Sequence, residues 1–212
     1  MNPTDLCKIM GEYGSDKGNI DITNCWHNYT QYYFNLFEKI RYSPIRIFEV
    51  GLGTNNTSLP SNMGKDGKPG ASMFGWAKFF PNAAVFGADI DKDILFETDR
   101  IKTFYCDQTK SDIINQMWNQ PILSEPFDII IDDGLHEFHA NVCLFENSIH
   151  KLKKGGYYII EDITNPLITT WEYTLDKWRT VYPKYTFHLE KLFNKANNWD
   201  NNLIVVHYLD QE

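Results

Sequence analysis

Two short runs hold the groups in this chain best suited to binding cations and moving protons: Asp132-Asp133-Gly134-Leu135-His136 and Glu161-Asp162. Each follows an apolar stretch, Phe127-Asp128-Ile129-Ile130-Ile131 in one case and Tyr157-Tyr158-Ile159-Ile160 in the other. If those stretches are neighbouring strands, three or four carboxylates and one imidazole meet at their ends. Like charges at that spacing repel strongly unless a cation lies among them. Hard carboxylate oxygens suit Mg²⁺, Mn²⁺ or Ca²⁺ better than zinc. His136, three residues beyond Asp133, is then placed to act as a base beside the metal. The plain alternative is a set of solvated carboxylates with one aspartate capping a helix.

A second group lies at the ends of the earlier strands. Glu49-Val50-Gly51-Leu52-Gly53 closes one run with glycines that let a ligand approach the backbone. The third glycine of a G-x-G-x-x-G turn is missing, because Asn56 stands there, which argues against a pyrophosphate seated on a helix N-terminus. Asp89 closes the next strand, where an acid accepts hydrogen bonds from ribose hydroxyls or simply opens a turn. Asp107-Gln108 follows the third strand, able to meet an adenine edge or to cap the next helix.

These residues need a scaffold that brings strand ends together, and the pattern supplies one. Arg46 to Val50, Val85 to Ile90, Thr103 to Cys106, Phe127 to Asp132 and Tyr157 to Glu161 are near-continuous apolar runs, as strands covered on both faces require. Helical spacing links them over Tyr32 to Ile40, Met73 to Phe80, Ser111 to Trp118 and Ala140 to Leu152, the last stopping before Gly155-Gly156. Such alternation predicts a doubly wound α/β domain with a mostly parallel sheet. Thr186 to Leu189 and Leu203 to Tyr208 read instead as a C-terminal hairpin, making one edge antiparallel. The Gly/Pro/Asn/Ser-rich stretch 55–69 is a long loop of the kind that carries function, and together with 165–171 it is expected to shape a binding pocket.

The chain has 212 residues, a formal net charge of −8, 42% hydrophobic and 15% aromatic residues, enough for one domain with its own core and too apolar for a disordered chain. The acidic balance argues against nucleic acid or an anionic membrane as partner. Four scattered cysteines, without a Cys-x-x-Cys pair, point to a reducing compartment. The opening residues lack a signal-peptide pattern and no apolar run approaches a membrane span, so a cytoplasmic location is expected.

Taken together, Glu49 to Gly53, Phe86-Gly87-Ala88-Asp89, Asp132 to His136 and Gly155 to Asp162 resemble the class I S-adenosylmethionine-dependent methyltransferases. More narrowly, the chain is similar to the metal-dependent sugar O-methyltransferases of the macrocin and mycinamicin type and to enzymes of bacterial capsule and surface-polysaccharide clusters. That likeness runs from Tyr13-Gly14-Ser15-Asp16-Lys17-Gly18 through His27-Asn28-Tyr29 and Pro69-Gly70-Ala71-Ser72 to Asp162. The resemblance implies a Rossmann-like methyltransferase fold spanning 1–212 as one domain, with 1–42 as a helical N-terminal lid over the core 43–212. It implies that Gly51, Gly53 and Ser72 hold the methionine end of S-adenosylmethionine, with Glu49 beside them. Asp89 would take the ribose and Asp107 or Gln108 the adenine, with Asp132 also among the cofactor-binding residues, while Ser15 and Lys17 fold over the pocket. Asp133, Glu161 and Asp162 would hold Mg²⁺ or Mn²⁺, with Asp133 and His136 catalytic and His136 the base. Tyr13 and Tyr29 either flank the acceptor or pack beneath the lid. One departure is visible: Ser72-Met73-Phe74 stands where the family has a Ser-Leu-Arg-like run.

The implied activity is metal-assisted O-methylation of a sugar or sugar-linked group, a phosphoramidate included, in capsule or surface-polysaccharide biosynthesis. The acceptor would be a small molecule or a nucleotide-linked sugar, with no nucleic acid or membrane as partner; a homo-oligomer is left open. An NAD-dependent oxidoreductase, a natural-product O-methyltransferase and a non-catalytic scaffold are the alternatives.

Overall fold

The computed structural model describes residues 2–21 and 24–210. Within these residues seven strands form one sheet: β1 (Arg46–Val50), β2 (Ala84–Asp89), β3 (Ile101–Tyr105), β4 (Phe127–Asp132), β5 (Leu152–Ile160), β6 (Tyr185–Lys191) and β7 (Asn202–Tyr208), in the order β3-β2-β1-β4-β5-β7-β6. The first five are parallel. β7 runs antiparallel between β5 and β6, so the C-terminal hairpin docks through its second strand. The chain order reverses between β1 and β4, which opens a crevice at their carboxyl ends, where α/β sheets bind ligands.

Among the described residues six α-helices cover the sheet: α1 (Asp5–Tyr13), α2 (Tyr29–Phe37), α3 (Ala71–Phe79), α4 (Ser111–Trp118), α5 (Phe138–Ser148) and α6 (Ile168–Val181). Successive strand residues face opposite layers, and both layers are apolar. Phe48, Ile130, Tyr158 and Val206 pack with Trp118, Phe145, Leu175 and Trp178 of α4, α5 and α6. Ile47, Ile129, Ile159 and Val205 pack with Met10, Tyr33, Phe37 and Trp76 of α1, α2 and α3. This two-sided burial is why the strand sequences read as continuous apolar runs. It also places the N-terminal helices inside one of the two cores.

The structure departs from the sequence reading in several places. Gly155-Gly156 does not stop a helix; it lies within β5, where Gly155 has φ 76° and the pairing with β4 shifts register, a bulge. α5 ends at Ser148, before a short 3₁₀ turn at Ile149–Lys151. α6 is not among the expected helices, and α1 falls within the expected helical N-terminal segment. The segment 165–171 does not line the main cavity; Trp171 is buried in the core against Phe138. The loop 55–69 does shape it, with Ser61 Oγ donating to the Leu135 carbonyl at 2.8 Å and Met63 N–H to the Thr54 carbonyl at 2.8 Å. All four cysteines are unpaired. No helix among the described residues is long and apolar enough to cross a membrane.

Candidate active site

A cavity of about 550 Å³ opens at the carboxyl ends of β1, β2 and β4. The turn after β1 forms its floor. Gly51 has φ 94°, and a Cβ there would stand 1.9 Å from the Asp133 carbonyl oxygen, so the loops after β1 and β4 can meet only at glycine. No helix follows Gly53 directly; the chain runs through a long loop before α3 begins at Ala71, in keeping with the absent third glycine.

One half of the cavity is lined by Gly51, Gly53, Asp89, Ile90, Cys106, Asp107, Gln108 and Leu135. Asp89 is shaped from behind: its Oδ2 accepts from Leu52 N–H at 2.7 Å and its Oδ1 from Asp91 N–H at 2.8 Å, and burial raises its carboxyl above the usual range. Asp107 accepts from Thr109 and faces Lys110 at 3.1 Å; although burial opposes its charge, these partners hold its carboxyl low. Gln108 spends its side-chain amide on the protein, donating to Asp132 Oδ1 at 3.0 Å and accepting from Leu135 N–H at 2.8 Å. Asp132 is fully buried between Gln108 and Asn141, with its carboxyl pushed up to about 6 by burial. These two residues tie the β3 and β4 loops together beneath the pocket.

The other half is lined by Asp133, His136, Asp162, His27, Trp26, Asp16 and Asp200. His136 bridges two acids, with Nε2 at 3.3 Å from Asp133 Oδ1 and Nδ1 at 3.3 Å from Asp162 Oδ2. Burial opposes charge on its ring, but Asp162 and Asp133 outweigh that and raise its pKa to about 10. His136 and Asp162 both have left-handed backbones, φ 59° and 57°. Strain of that kind in non-glycine residues persists where surrounding structure fixes a functional geometry. Asp162 Oδ1 accepts from Tyr29 OH at 2.7 Å and lies 3.5 Å from His27 Nε2.

The carboxylates behind this layer have their own cation. Lys17 Nζ lies 2.5 Å from Asp133 Oδ2, 2.7 Å from Glu161 Oε2 and 3.6 Å from Glu49 Oε1. Burial opposes its charge, yet these acids hold the ammonium well above the usual lysine value. Glu161 Oε1 accepts from Tyr33 OH at 2.6 Å. Glu49 accepts from Ser72 Oγ and Trp76 Nε1, both at 2.5 Å.

Of the expected site residues, Gly51, Gly53, Asp89, Asp107, Gln108, Asp133, His136 and Asp162 line the cavity. Ser15, Lys17, Glu49, Ser72, Asp132 and Glu161 are buried around it, outside its lining. Ser15 Oγ accepts from Lys17 N–H at 3.3 Å. Phe74, at the departure position, stacks between Tyr13 and Phe96 away from the cavity, so Tyr13 does not flank it either. Tyr29 is fully buried and acts on Asp162. The roles of Tyr33 and His27 as partners of the acids were not anticipated. Their helical or loop positions carry no local signal of a carboxylate more than a hundred residues away.

Asp133, His136 and Asp162 each offer a ligand atom within 4.8 Å of the others. The two hard carboxylates suit a Mg²⁺- or Mn²⁺-sized ion with several positions left for other oxygens, and the His136 ring lies beside them. The strand order, the hairpin and the acid-rimmed cavity at the sheet's carboxyl edge define the fold of class I S-adenosylmethionine-dependent methyltransferases. The methyltransferase MycE of the mycinamycin biosynthetic pathway, solved with Mg and S-adenosylhomocysteine, superimposes with a TM-score of 0.73 at 22% identity, covering 98% of this chain and 55% of its own.

The homologues are sugar O-methyltransferases of the macrocin and mycinamicin type. Mycinamicin VI 2''-O-methyltransferase of Micromonospora griseorubida is 32% identical over 75% of this chain and 36% of its own length. A tetracenomycin-C rhamnosyl 3'-O-methyltransferase of Streptomyces olivaceus is 29% identical over 76% and 37%. The chain therefore spans little more than a third of the curated relatives it matches. No family model matches it.

Proposed function

We propose that this chain is an S-adenosylmethionine-dependent, divalent-metal-assisted O-methyltransferase acting on a sugar hydroxyl. The observation that carries the reading is the convergence of Asp133, His136 and Asp162 on one open cavity beside the Gly51 turn. The relatives' sugar O-methyltransferase activities and the Mg and S-adenosylhomocysteine named for MycE support it. The acceptor is a sugar or sugar-linked group. Its setting is a surface polysaccharide, as the sequence resemblance implies, or a glycosylated natural product, as for the relatives.

S-adenosylmethionine supplies the electrophilic methyl group, and a divalent ion at Asp133 and Asp162 supplies Lewis-acid polarisation of a substrate oxygen. The chain's own residues do the rest. Asp89 presents carboxylate to the ribose side, and the Gly51 turn lets the methionine end approach the backbone. Such alignment accounts for roughly 7–11 kcal/mol of barrier in well-oriented reactions. His136, hinged between Asp133 and Asp162, receives the hydroxyl proton once its contacts to those acids are relaxed and its own second proton has passed to solvent. Tyr29 and His27 hold Asp162 Oδ1, which leaves Oδ2 to the His136 ring on the cavity side.

EDTA should abolish methyl transfer and Mg²⁺ should restore it, read by mass spectrometry as the gain of one methyl group on a glycoside. His136→Asn, chosen because asparagine tolerates a left-handed backbone, should cut turnover at least 100-fold while S-adenosylhomocysteine binding stays within a few-fold. Full activity in EDTA removes the metal; retained turnover in His136→Asn removes the base.

A further inference from the structure

Cys25, His27 and Tyr29 are buried, whereas Trp26, between the first two, is 55% exposed and lines the cavity. Among the described residues, two large apolar side chains are exposed on the cavity wall, Trp26 in the acid-lined half and Ile90 in the other. The backbone that carries the indole is tethered from the far end of the chain. Asn194, buried in the loop between β6 and β7, donates through Nδ2 to the Trp26 carbonyl at 2.8 Å and to the Cys25 carbonyl at 3.2 Å. Its Oδ1 accepts from Ala196 N–H at 2.9 Å, which fixes the amide in turn. The His27 ring meets the indole edge to face, with centroids 6.2 Å apart. The peptide is thus held while the ring stays open to the cavity, on the wall that it shares with Asp16, His136 and Asp200.

We propose that Trp26 is a specificity-determining residue for the acceptor: its indole is the platform for the C–H face of a neutral pyranose ring, and Asn194 positions that platform. This deepens the sugar O-methyltransferase reading and rests on it. A pyranose presents an apolar face of C–H groups inside a rim of hydroxyls, so it fits a flat apolar surface flanked by hydrogen-bond acceptors. An indole offers a large, rigid apolar area with only two torsions to freeze. Asp16 and Asp200, on the same wall, are carboxylates able to accept from hydroxyls. Small-molecule sites have this composition, broad apolar lining with a few polar groups that fix orientation. A sugar face laid on the ring removes apolar area from water, which an open-chain polyol with the same hydroxyls cannot do as well. The wall therefore selects ring shape, and hydroxyl count alone does not satisfy it.

Saturation-transfer NMR tests this on protein loaded with Mg²⁺ and S-adenosylhomocysteine, with the methyl pyranosides of glucose, galactose, mannose and fucose as probes and galactitol as the open-chain control. Wild-type protein should bind at least one pyranoside, with transfer strongest to the protons of one ring face, and galactitol at least tenfold more weakly. Trp26→Ala, at an exposed position where folding is little affected, should weaken that pyranoside at least fivefold and keep S-adenosylhomocysteine within twofold. Trp26→Phe should recover most of the affinity, and Asn194→Ala should fall between wild type and Trp26→Ala. In turnover of the bound glycoside the loss in Trp26→Ala should fall on KM and spare kcat. Equal pyranoside affinity in wild type and Trp26→Ala overturns the platform while leaving a sugar acceptor standing, and so does galactitol bound as tightly as the galactoside. An equal loss of S-adenosylhomocysteine in Trp26→Ala assigns the ring to the cofactor and overturns it too. A wild type that binds S-adenosylhomocysteine but no pyranoside overturns the sugar reading and the platform together.

Discussion

At the scale of single residues, His136 is where structure and chemistry are most tightly joined. Its ring is shared by two aspartates, which raise its pKa to about 10 from an ordinary 6.5 against the opposing effect of burial. A raised pKa in the folded state contributes stability that is fully present below pH 6.5 and disappears as pH rises through about 10. A divalent ion competes for the same aspartate oxygens and removes the reason for that proton to stay. Saturation with Mg²⁺ at pH 8 in weakly buffered solution should therefore release close to one proton per ion. The release should vanish in His136→Asn, and an unchanged pH in the wild type would refute the shared-aspartate arrangement. The pairing of Asp133 with His136 was legible in the sequence because three residues separate them within one turn. The cation facing Asp133 from the other side was not, since Lys17 lies 116 residues upstream.

Elements were legible to the extent that burial is two-sided. β1 and β4 lie where their apolar runs place them, because each residue faces one core or the other. α6 escaped notice although Trp171, Leu175 and Trp178 repeat at helical spacing, because its exposed face is polar and its start is uncapped by a side chain. The Gly155-Gly156 pair misled for a different reason: glycine marks a bulge as readily as a helix end. The turn after β1 gives the sharpest test at this scale. Gly51→Ala would place a methyl group against the Asp133 carbonyl in a left-handed conformation. The expected cost is on the order of 3 kcal/mol, with weakened S-adenosylhomocysteine binding, because the β1 and β4 loops must part. Urea denaturation and calorimetry check it, and a variant with wild-type values for both would show that the two loops do not need their close approach.

Across the whole molecule, the net charge of −8 is unevenly spent. Asp16, Asp89, Asp107, Asp133, Asp162 and Asp200 line the cavity, and among the described residues no lysine or arginine does. A phosphate ester entering that field meets repulsion that a neutral ring avoids. A neutral methyl glycoside should therefore bind at least tenfold more tightly than the same sugar carried on a nucleoside diphosphate, measured by saturation-transfer NMR with S-adenosylhomocysteine and Mg²⁺ present. The reverse order would mean that the bound metal dominates the wall. The N-terminal segment has a consequence of another kind, one of timing. The Lys17 ammonium meets Asp133 and Glu161 across 116 and 144 residues of chain. Contacts of such separation demand the largest loop closures and form late. During synthesis Lys17 leaves the ribosome long before either partner exists, so the acid cluster is assembled only once β5 has been made. The acid-lined corner is thus completed late as the protein becomes native.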